Sequence, residues 1–542
     1  MNSRWFWQRC STFESGWSAA INVAIWKIHD RISWMNSVGR RLLFGGAFRA
    51  ISQVLIVVVG FVLVPVMVQH LGPEMFGAWA VIGGFLGYFT LLDLGLSSAV
   101  IRFVSRSHGA NDPQGADEYI CSAFWLFAVL SCVALVITLV IVVSCSWIWD
   151  DPVEIHRYRV AFGLAGITFS LTMVSRCFVG TLMAHVRHDL LALVESIVRI
   201  LVAIGMYVAL IYGGKLISVV AVHATGNLVK SVVFYALAQR VHGRLLLRWA
   251  HISRDKTREM FKYSVFSFSA QVSNLLRFQS GSLMIAFVHT MKAVEPFAIA
   301  ERIFYLPSQF VIALCGAATP VLSSKEGSGD SEGLRRAFFI IHRYACGLAV
   351  FFTAMGMVCC GPFLKCWIGN HSSVTLITWL IQVGFIGTFF ESLQVATLTL
   401  LFGVSKNRQY ATINMIQGVL LVGVGIPMLY WFDLKGLLVL YVVLNCIFKM
   451  IAVSWIAART LEVTLLHYYR KTCEYLLLPG IFVPLLYIGG RVMLQQATYG
   501  SLVLFGILGS TAFSLFFLLV LPRDLRSSLL NAVGRIAVKN RA

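Results

Sequence analysis

The stretch YICSAFWLFAVLSCVALVITLVIVVSCSW, residues 119–147, decides the fold class because it carries no charged side chain. A helix needs about 20 consecutive, mostly apolar residues to cross the hydrocarbon core of a bilayer. About fourteen such apolar stretches, nearly all of spanning length, fill residues 47–521, and the whole chain is 58% hydrophobic and only 13% charged. The sequence therefore predicts an all-α polytopic membrane protein with about 14 transmembrane helices.

The basic residues alternate between the loops that join these stretches. Of the 44 Lys and Arg residues, 29 lie in the termini and the even-numbered loops, and only 7 lie in the odd-numbered loops. Loops rich in Lys and Arg stay on the cytoplasmic side of a membrane. We therefore expect both termini to be cytoplasmic. The formal net charge of +20 reflects membrane topology and does not indicate a nucleic-acid partner.

Landmark residues in the first part of the chain recur in the second part at a nearly constant distance along the sequence. Four pairs of landmarks recur at this offset, which drifts by a single position among them, and this indicates two homologous six-helix halves in the same orientation. Parallel repeats of this kind are typical of transporters, with the substrate site between the halves. The pairs are Trp147 and Trp367, Lys215 and Lys435, Arg187 and Lys406, and Lys230 and Lys449.

These patterns divide the chain into six regions. Apolar residues at helical spacing from Trp17 to Met35 favour an amphipathic helix on the membrane surface. An unstructured leader is the alternative for that stretch. The regions are a cytoplasmic N-terminal region with this interfacial helix (1–45), a first six-helix half (46–240), a basic cytoplasmic linker (241–262), a second six-helix half (263–458), two additional transmembrane helices (459–521) and a basic cytoplasmic tail (522–542).

Two stretches carry a resemblance to a known family. Residues 64–107 read VPVMVQHLGPEMFGAWAVIGGFLGYFTLLDLGLSSAVIRFVSRS, with Pro65 in the first helix, Leu-Gly at its end, and Asp-Leu-Gly-Leu from Asp93 followed by Arg102. Residues 297–324, FAIAERIFYLPSQFVIALCGAATPVLSS, add an eighth helix that closes on Pro320. This pattern resembles the polysaccharide exporters, the O-antigen and exopolysaccharide lipid flippases of the multidrug/oligosaccharidyl-lipid/polysaccharide superfamily.

The resemblance implies a function and a site. It implies a transporter in the bacterial inner membrane that flips a polyprenyl-pyrophosphate-linked oligosaccharide by alternating access, without a cofactor. Its partners would be that substrate, the membrane lipids and the polysaccharide polymerase or export proteins. Family arginines on the first, seventh and eighth helices line a central cavity, which here points to Arg49, Arg277 and Arg302. The chain departs from many relatives by lacking an aspartate on the seventh helix, so the coupling ion stays open.

Charged residues inside the apolar segments cost free energy when they enter the bilayer, so each is expected to have a binding partner or a function. Arg277 lies 14 residues into its helix, about 21 Å from the start and too deep to reach the surface comfortably. An arginine fork suits phosphate binding, whereas a salt bridge that packs helices is the alternative. The interior carries eight cations against four acids: Arg49, Arg176, Arg199, Lys230, Arg277, Arg302, Arg343 and Lys449 against Asp93, Glu195, Glu301 and Glu391.

Other interior residues suggest motion or structure. Pro65 removes a helical hydrogen bond and predicts a kink that could serve as a hinge. Asp93 is expected to be a hinge or a helix cap, and Glu301 and Glu391 are candidates for gating or ion coupling. Lys230 and Lys449 lie about eight residues from a cytoplasmic helix end, so we expect them to reach the membrane interface.

Enzyme chemistry has little support in the sequence. There is no HxxxH metal pair, P-loop or GxSxG elbow, so we predict neither a catalytic site nor a metal site. A cation-coupled antiporter of the same superfamily is the first alternative to a flippase, although it would need more interior acids. A polytopic polysaccharide polymerase or glycosyltransferase is the second, although such enzymes usually have a large external loop.

Overall fold

The computed structural model describes residues 37–148, 151–243, 252–316, 318–369, 372–404, 406–495 and 498–520. These residues form helices joined by short turns, and they contain no β-strand. The expected surface helix around residues 17–35 and the basic tail lie outside this described part. The all-α architecture follows from the apolar composition, because only helices and closed barrels satisfy the backbone hydrogen bonds inside a bilayer.

The helices of the first half follow one another with short connections. A four-residue 3₁₀ turn, Thr90–Asp93, separates the first two of them. They are α1 (Ser37–Phe89), α2 (Leu96–Gly109), α3 (Pro113–Ile148), α4 (Pro152–Met173), α5 (Ser175–Ala184), α6 (His188–Ile211) and α7 (Leu216–His242).

The second half and the C-terminal pair continue in the same manner. A short π-helical turn, Phe448–Val453, joins α16 to α17. The helices are α8 (Arg254–Phe278), α9 (Ser280–Val288), α10 (Met291–Phe304), α11 (Leu306–Gly316), α12 (Thr319–Gly327), α13 (Ser331–Ile368), α14 (Val374–Leu393), α15 (Val395–Gly403), α16 (Asn407–Ile447), α17 (Ser454–Thr460), α18 (Leu465–Met493) and α19 (Tyr499–Val520).

The number of membrane crossings agrees with the sequence. Within the described residues, ten helices are long and apolar enough to cross a membrane, and α4 with α5 forms an eleventh span bent by 42°. Two of the ten, α1 and α16, each divide into two helices at a residue with non-helical backbone angles, Gly72 and Asp433. Counting those parts separately gives thirteen candidate crossings among the described residues, close to the expected fourteen. The predicted polytopic all-α fold is confirmed.

The turn between the first two spans differs from the expectation in its details. In the sequence, Gly72 and Gly77 with Pro73 between them are typical of a tight turn, but Gly72 alone makes the break, with φ 72°. The helical backbone angles continue through Pro65. Gly77 lies inside the next helix, where a Cβ atom would overlap the carbonyl oxygen of Met291. Glycine is needed there because α10 packs directly against this part of α1.

Breaks in the helices recur at the spacing of the sequence landmarks. The fourth span breaks at Val174 and the tenth at Gln394, which repeats the offset between Trp147 and Trp367. Left-handed backbone angles occur at Gly213 and Asp433, again at that offset. These positions fit a duplicated chain, and the division into the six regions given above remains our proposal.

Many of the contacts between the first and second groups of six spans run along α1, and others join α2 and α3 to α8, such as the hydrogen bond from the Tyr119 hydroxyl to Glu259. One contact along α1 is the hydrogen bond from the Trp367 indole N–H to the Phe61 carbonyl oxygen, 2.7 Å long. Another is the close packing of the first residue of α10, Met291, against Gly77 of α1. The C-terminal pair packs on α13, where the Phe351 and Phe513 rings stack with their centroids 4.6 Å apart.

Candidate functional site

Helices of the second group of six spans line a cavity of about 680 Å³ with both polar and apolar walls. This is within the usual size range of small-molecule sites. Its walls combine serine, asparagine and tyrosine side chains with two arginines and one glutamate. The lining residues are Tyr263, Ser269, Ser273, Asn274, Arg277, Phe278, Ile312, Glu391, Leu398, Phe402, Arg408, Tyr410, Ala411 and Asn414.

A buried ion pair between Arg277 and Glu391 forms part of the wall of this cavity. The Arg277 Nη2 atom donates to both carboxylate oxygens of Glu391, each at 2.8 Å. The two side chains are only 2% and 6% exposed. Arg277 lies at the end of α8, one residue before Phe278 and the break, and α16 approaches it closely because residue 418 is a glycine. The structure gives Arg277 an acidic partner from α14.

Lys449 supplies a further positive charge behind the cavity wall. Its Nζ atom donates to the Asn414 Oδ1 atom at 2.9 Å and to the Tyr410 hydroxyl at 3.1 Å. Lys449 is fully buried, so the expectation that it reaches the membrane interface is wrong. The neighbouring helix offers polar partners that hold the ammonium inside. With Arg277, Arg408 and Lys449 set against Glu391, the cavity has a surplus of positive charge.

Glu301 lies on the other side of Arg277. The two residues line a void of about 20 Å³, together with Tyr305 and Tyr441. A space of that size is large enough for one water molecule. The structure thus brings Arg277, Glu301 and Glu391 together, although they come from three different helices.

Arg302 is separated from this group. It follows Glu301 on α10 but is exposed, and its guanidinium carbon lies 5.9 Å from the centroid of the Phe76 ring. Phe76 belongs to the first half and Arg302 to the second, so this contact is between the halves. Arg302 therefore lies at the contact between α10 and α1.

The first half contains a cavity of its own, of about 530 Å³. Its charged lining residues are Arg176, Lys230 and Glu195, again two cations and one acid. Lys230 lines this cavity, and its repeat counterpart Lys449 supports the wall of the other. Each of the two cavities is thus lined by two cationic side chains and one carboxylate.

Asp93 caps the helix that follows the break in the second span. It accepts hydrogen bonds from the Ser97 backbone N–H at 3.2 Å and from the Ser97 hydroxyl at 2.9 Å. Leu94 and Gly95 both have left-handed angles, with φ 49° and 79°. The Asp-Leu-Gly-Leu motif therefore encodes a break followed by a capped helix start. Asp93 also pairs with Arg176 at 3.5 Å and so ties the second span to the fourth.

Two predicted site residues lie away from these cavities or outside the described residues. Pro65 is inside α1, between the buried residues Val64 and Met67. The backbone of Arg49 is helical, but its side chain lies outside the described part.

Some buried polar residues were not predicted from the sequence. Tyr410 and Asn414 had no predicted role, and Glu295, which is 1% exposed, was not among the predicted interior acids. Only the helical spacing of Tyr410 and Asn414, which puts both on one face of α16, could have indicated a shared position.

The fold and the charged cavities define a polytopic membrane protein of transporter type. A family model described as "Polysaccharide biosynthesis protein" matches residues 42–325, more than half of the chain. The chain therefore belongs to this family, and the resemblance inferred from its motifs is confirmed. A curated relative, the "Uncharacterized membrane protein EpsK" of Bacillus subtilis, is 22% identical over 78% of this chain and 82% of its own length.

Solved structures share the fold at low sequence identity. An inward-facing multidrug resistance MATE family transporter of the MOP superfamily is 15% identical, with TM-score 0.64 over 77% of this chain and 99% of that one. The lipid II flippase MurJ, in an inward closed conformation, is also 15% identical, with TM-score 0.64 over 88% of this chain and 99% of that one. The fold is therefore that of MOP superfamily transporters.

Proposed function

We propose that this protein flips a lipid-linked oligosaccharide, carried on polyprenyl pyrophosphate, across the bacterial cytoplasmic membrane for surface polysaccharide synthesis. The observation that carries the proposal is the buried Arg277 in the wall of a cavity with surplus positive charge. Membership of the polysaccharide biosynthesis family and the flippase fold relative support it. Both termini are cytoplasmic in this proposal, as the loop charges favour.

The chemistry of Arg277 fits an anionic head group. Its guanidinium has donors in a rigid fork that matches phosphate oxygens. The Arg277 Nη2 atom donates to Glu391, and the Arg277 Nε atom has no hydrogen-bond partner among the described residues. Glu391 therefore keeps the arginine oriented and charged while leaving a donor for a phosphate oxygen. The pyrophosphate and its first sugars would occupy the cavities, and the polyprenyl tail would stay in the lipid.

Alternating access would rock one half against the other. Part of the contact between the halves runs along α1 and α10, where Gly77 allows the two helices to touch, and Gly87 of α1 lies against Gln279 at the break between α8 and α9. Arg302 at this contact would receive the head group, Pro65 would serve as a hinge, and Glu301 and Glu391 would gate Arg277. Arg49 completes the proposed cationic path.

One observation favours a cation-coupled antiporter as the second candidate. Glu301 and Glu391 flank Arg277, and interior carboxylates are the groups that bind protons or sodium in such transporters. Uptake of a cationic dye into vesicles, driven by a proton or sodium gradient, would support this function over the flippase. No observation on the described residues favours a polymerase or a glycosyltransferase.

The test of the flippase proposal separates substrate binding from helix packing. The double variant Arg277→Met/Glu391→Leu removes the pair as a unit and keeps the volume of the two side chains. Lipid-linked sugar on the outer leaflet is then measured in cells with membrane-impermeant periodate. We expect the double variant to fold and to lose export at least 10-fold. Normal export by the folded double variant would overturn the proposal that Arg277 binds the head group.

A surface pair provides the matched control. Arg336 and Glu332 lie four residues apart on α13 and are 71% and 77% exposed. The variant Arg336→Met/Glu332→Leu makes the same chemical change away from the two cavities that contain Arg277 and Arg176. It is expected to leave export unchanged.

A further inference from the structure

Three histidines from distant parts of the chain meet at one end of the first half. His108 lies in the last turn of α2, His185 directly follows α5, and His242 is the last residue of α7. They end the second, fourth and sixth spans, beyond the apolar segments. No metal motif is visible in the sequence because no regular spacing connects the three positions.

The rings converge on a common point. One ligand nitrogen from each histidine lies within 4.8 Å of the ligand nitrogens of the other two. The ring centroids are 4.3 Å apart for His108 and His185, 5.5 Å for His108 and His242, and 5.3 Å for His185 and His242. In a tetrahedral site with metal–nitrogen distances of about 2.0–2.1 Å, the nitrogens are about 3.4 Å apart. Small side-chain rotations therefore suffice to bring all three nitrogens to one ion.

Hydrogen bonds to His185 and His242 assign the proton on each of these rings and so identify the nitrogen that keeps its lone pair. The His185 Nδ1 atom lies 2.9 Å from the Thr181 carbonyl oxygen, which accepts only from a protonated nitrogen, so Nε2 is the ligand atom. The His242 Nε2 atom lies 2.8 Å from the Asp117 Oδ1 atom, which likewise assigns the proton to Nε2 and the lone pair to Nδ1.

Two of the three nitrogens that face one another lack a hydrogen bond in the described part of the chain. The His242 Nδ1 atom and the His108 Nε2 atom are buried and have no hydrogen-bond partner among the described residues. Buried polar atoms without a partner cost stability and call for an explanation. A carboxylate or a carbonyl oxygen behind a histidine is the usual outer support of a metal ligand.

From this geometry we propose a transition-metal site, suited to Zn²⁺, with His108 Nε2, His185 Nε2 and His242 Nδ1 as ligands. Asp117 orients His242, and the Thr181 carbonyl oxygen orients His185. A water molecule completes the tetrahedron, as in other sites with three protein ligands. The ion joins the ends of the second, fourth and sixth spans and makes this end of the first half move as one body.

The protonation of the rings agrees with metal binding, which requires neutral imidazoles. Burial lowers the pKa of His108 below its ordinary value of 6.5, and the neighbouring His185 and His242 lower it further, against a raising effect from Asp117. Burial also lowers the pKa of His185, against a raising effect from the Thr181 carbonyl.

The test uses the full chain in detergent, purified without a polyhistidine tag, stripped with a chelator and titrated with Zn²⁺ or Co²⁺. We expect one equivalent of Zn²⁺, an absorption spectrum of tetrahedral Co²⁺, and a higher thermal unfolding temperature with Zn²⁺. His108→Ala and His185→Ala are expected to remove all three. His467→Ala, which replaces an exposed histidine on α18, is the control and is expected to retain them.

A milder variant keeps the test decisive if an alanine variant does not fold. Asp117→Asn removes the carboxylate behind His242 and keeps all three ligands, and it is expected to weaken Zn²⁺ binding about 10- to 100-fold. The proposal is overturned if the stripped wild type binds no stoichiometric Zn²⁺. It is also overturned if binding is unchanged in Asp117→Asn and in a folded histidine variant.

Discussion

Replacing Glu391 with glutamine leaves the Arg277 guanidinium buried without its counter-charge. The wild-type pair is joined by two hydrogen bonds of 2.8 Å, and neither side chain is more than 6% exposed. Removing one partner of such a pair costs about 3–5 kcal/mol of folding free energy, because the remaining charge stays buried. Lys449 adds to the effect because Glu391 also offsets its positive charge.

The double variant Arg277→Met/Glu391→Leu is expected to behave differently. Replacing both members of a buried pair with apolar side chains of similar volume is often neutral or stabilising. We therefore expect it to recover most of the loss, to within about 1 kcal/mol of the wild type. The difference between the single and double variants then measures the pair itself.

The assay is reversible unfolding by SDS in mixed detergent micelles, followed by tryptophan fluorescence. Glu332→Gln on the exposed Arg336 pair is the control, and it is expected to change stability by less than about 0.5 kcal/mol. If Glu391→Gln changes the free energy of unfolding no more than Glu332→Gln does, the reasoning about the buried pair is refuted.

Three further predictions concern other parts of the molecule. Gly77→Ala is expected to lower the free energy of unfolding by about 1–3 kcal/mol, because the added Cβ atom overlaps the Met291 carbonyl oxygen. Gly83→Ala on the same helix is the control and is expected to cause no such loss, because no atom lies within 4 Å of the added Cβ. Thermal unfolding of both variants tests this. Asp93→Ala is expected to cost about 1–2 kcal/mol by removing the cap on Ser97, and Asp93→Asn less, since an amide oxygen also accepts; equal losses in SDS unfolding would contradict the cap. The pKa of His108 is lowered in the folded chain, so the stability that its neutral form contributes is fully present above pH 6.5 and is lost as the pH falls through the lowered pKa of the folded state. Zn²⁺ binding is expected to weaken over the same pH range, because protons compete for the ligand nitrogen. Zn²⁺ titrations at several pH values test this, and an affinity that does not change with pH would contradict it.

Local sequence signals predicted much of the fold. The apolar stretches set the spans because a bilayer offers no hydrogen bonds to an unpaired backbone. The Asp-Leu-Gly-Leu motif marked a real break, since the chain adopts left-handed angles at Leu94 and Gly95 and Asp93 caps the next helix. The offset between the sequence landmarks reappeared at the break residues Val174 and Gln394.

Local signals were misleading where a glycine served packing. Gly77 looked like part of a turn, yet it is the point at which α10 rests on α1. A glycine required by a backbone angle and one required by a close neighbour look the same in a sequence. The neighbour here is Met291, far along the chain.

The sequence by itself determined that this is a helical membrane protein with buried cations, because hydrophobicity and charge are properties of each residue. Only the tertiary structure decided that Arg277 meets Glu391, 114 residues away, and that Lys449 turns inward to Asn414. It alone joined His108, His185 and His242. Such pairings depend on which helices are neighbours and how they are rotated, and packing over the whole bundle sets both.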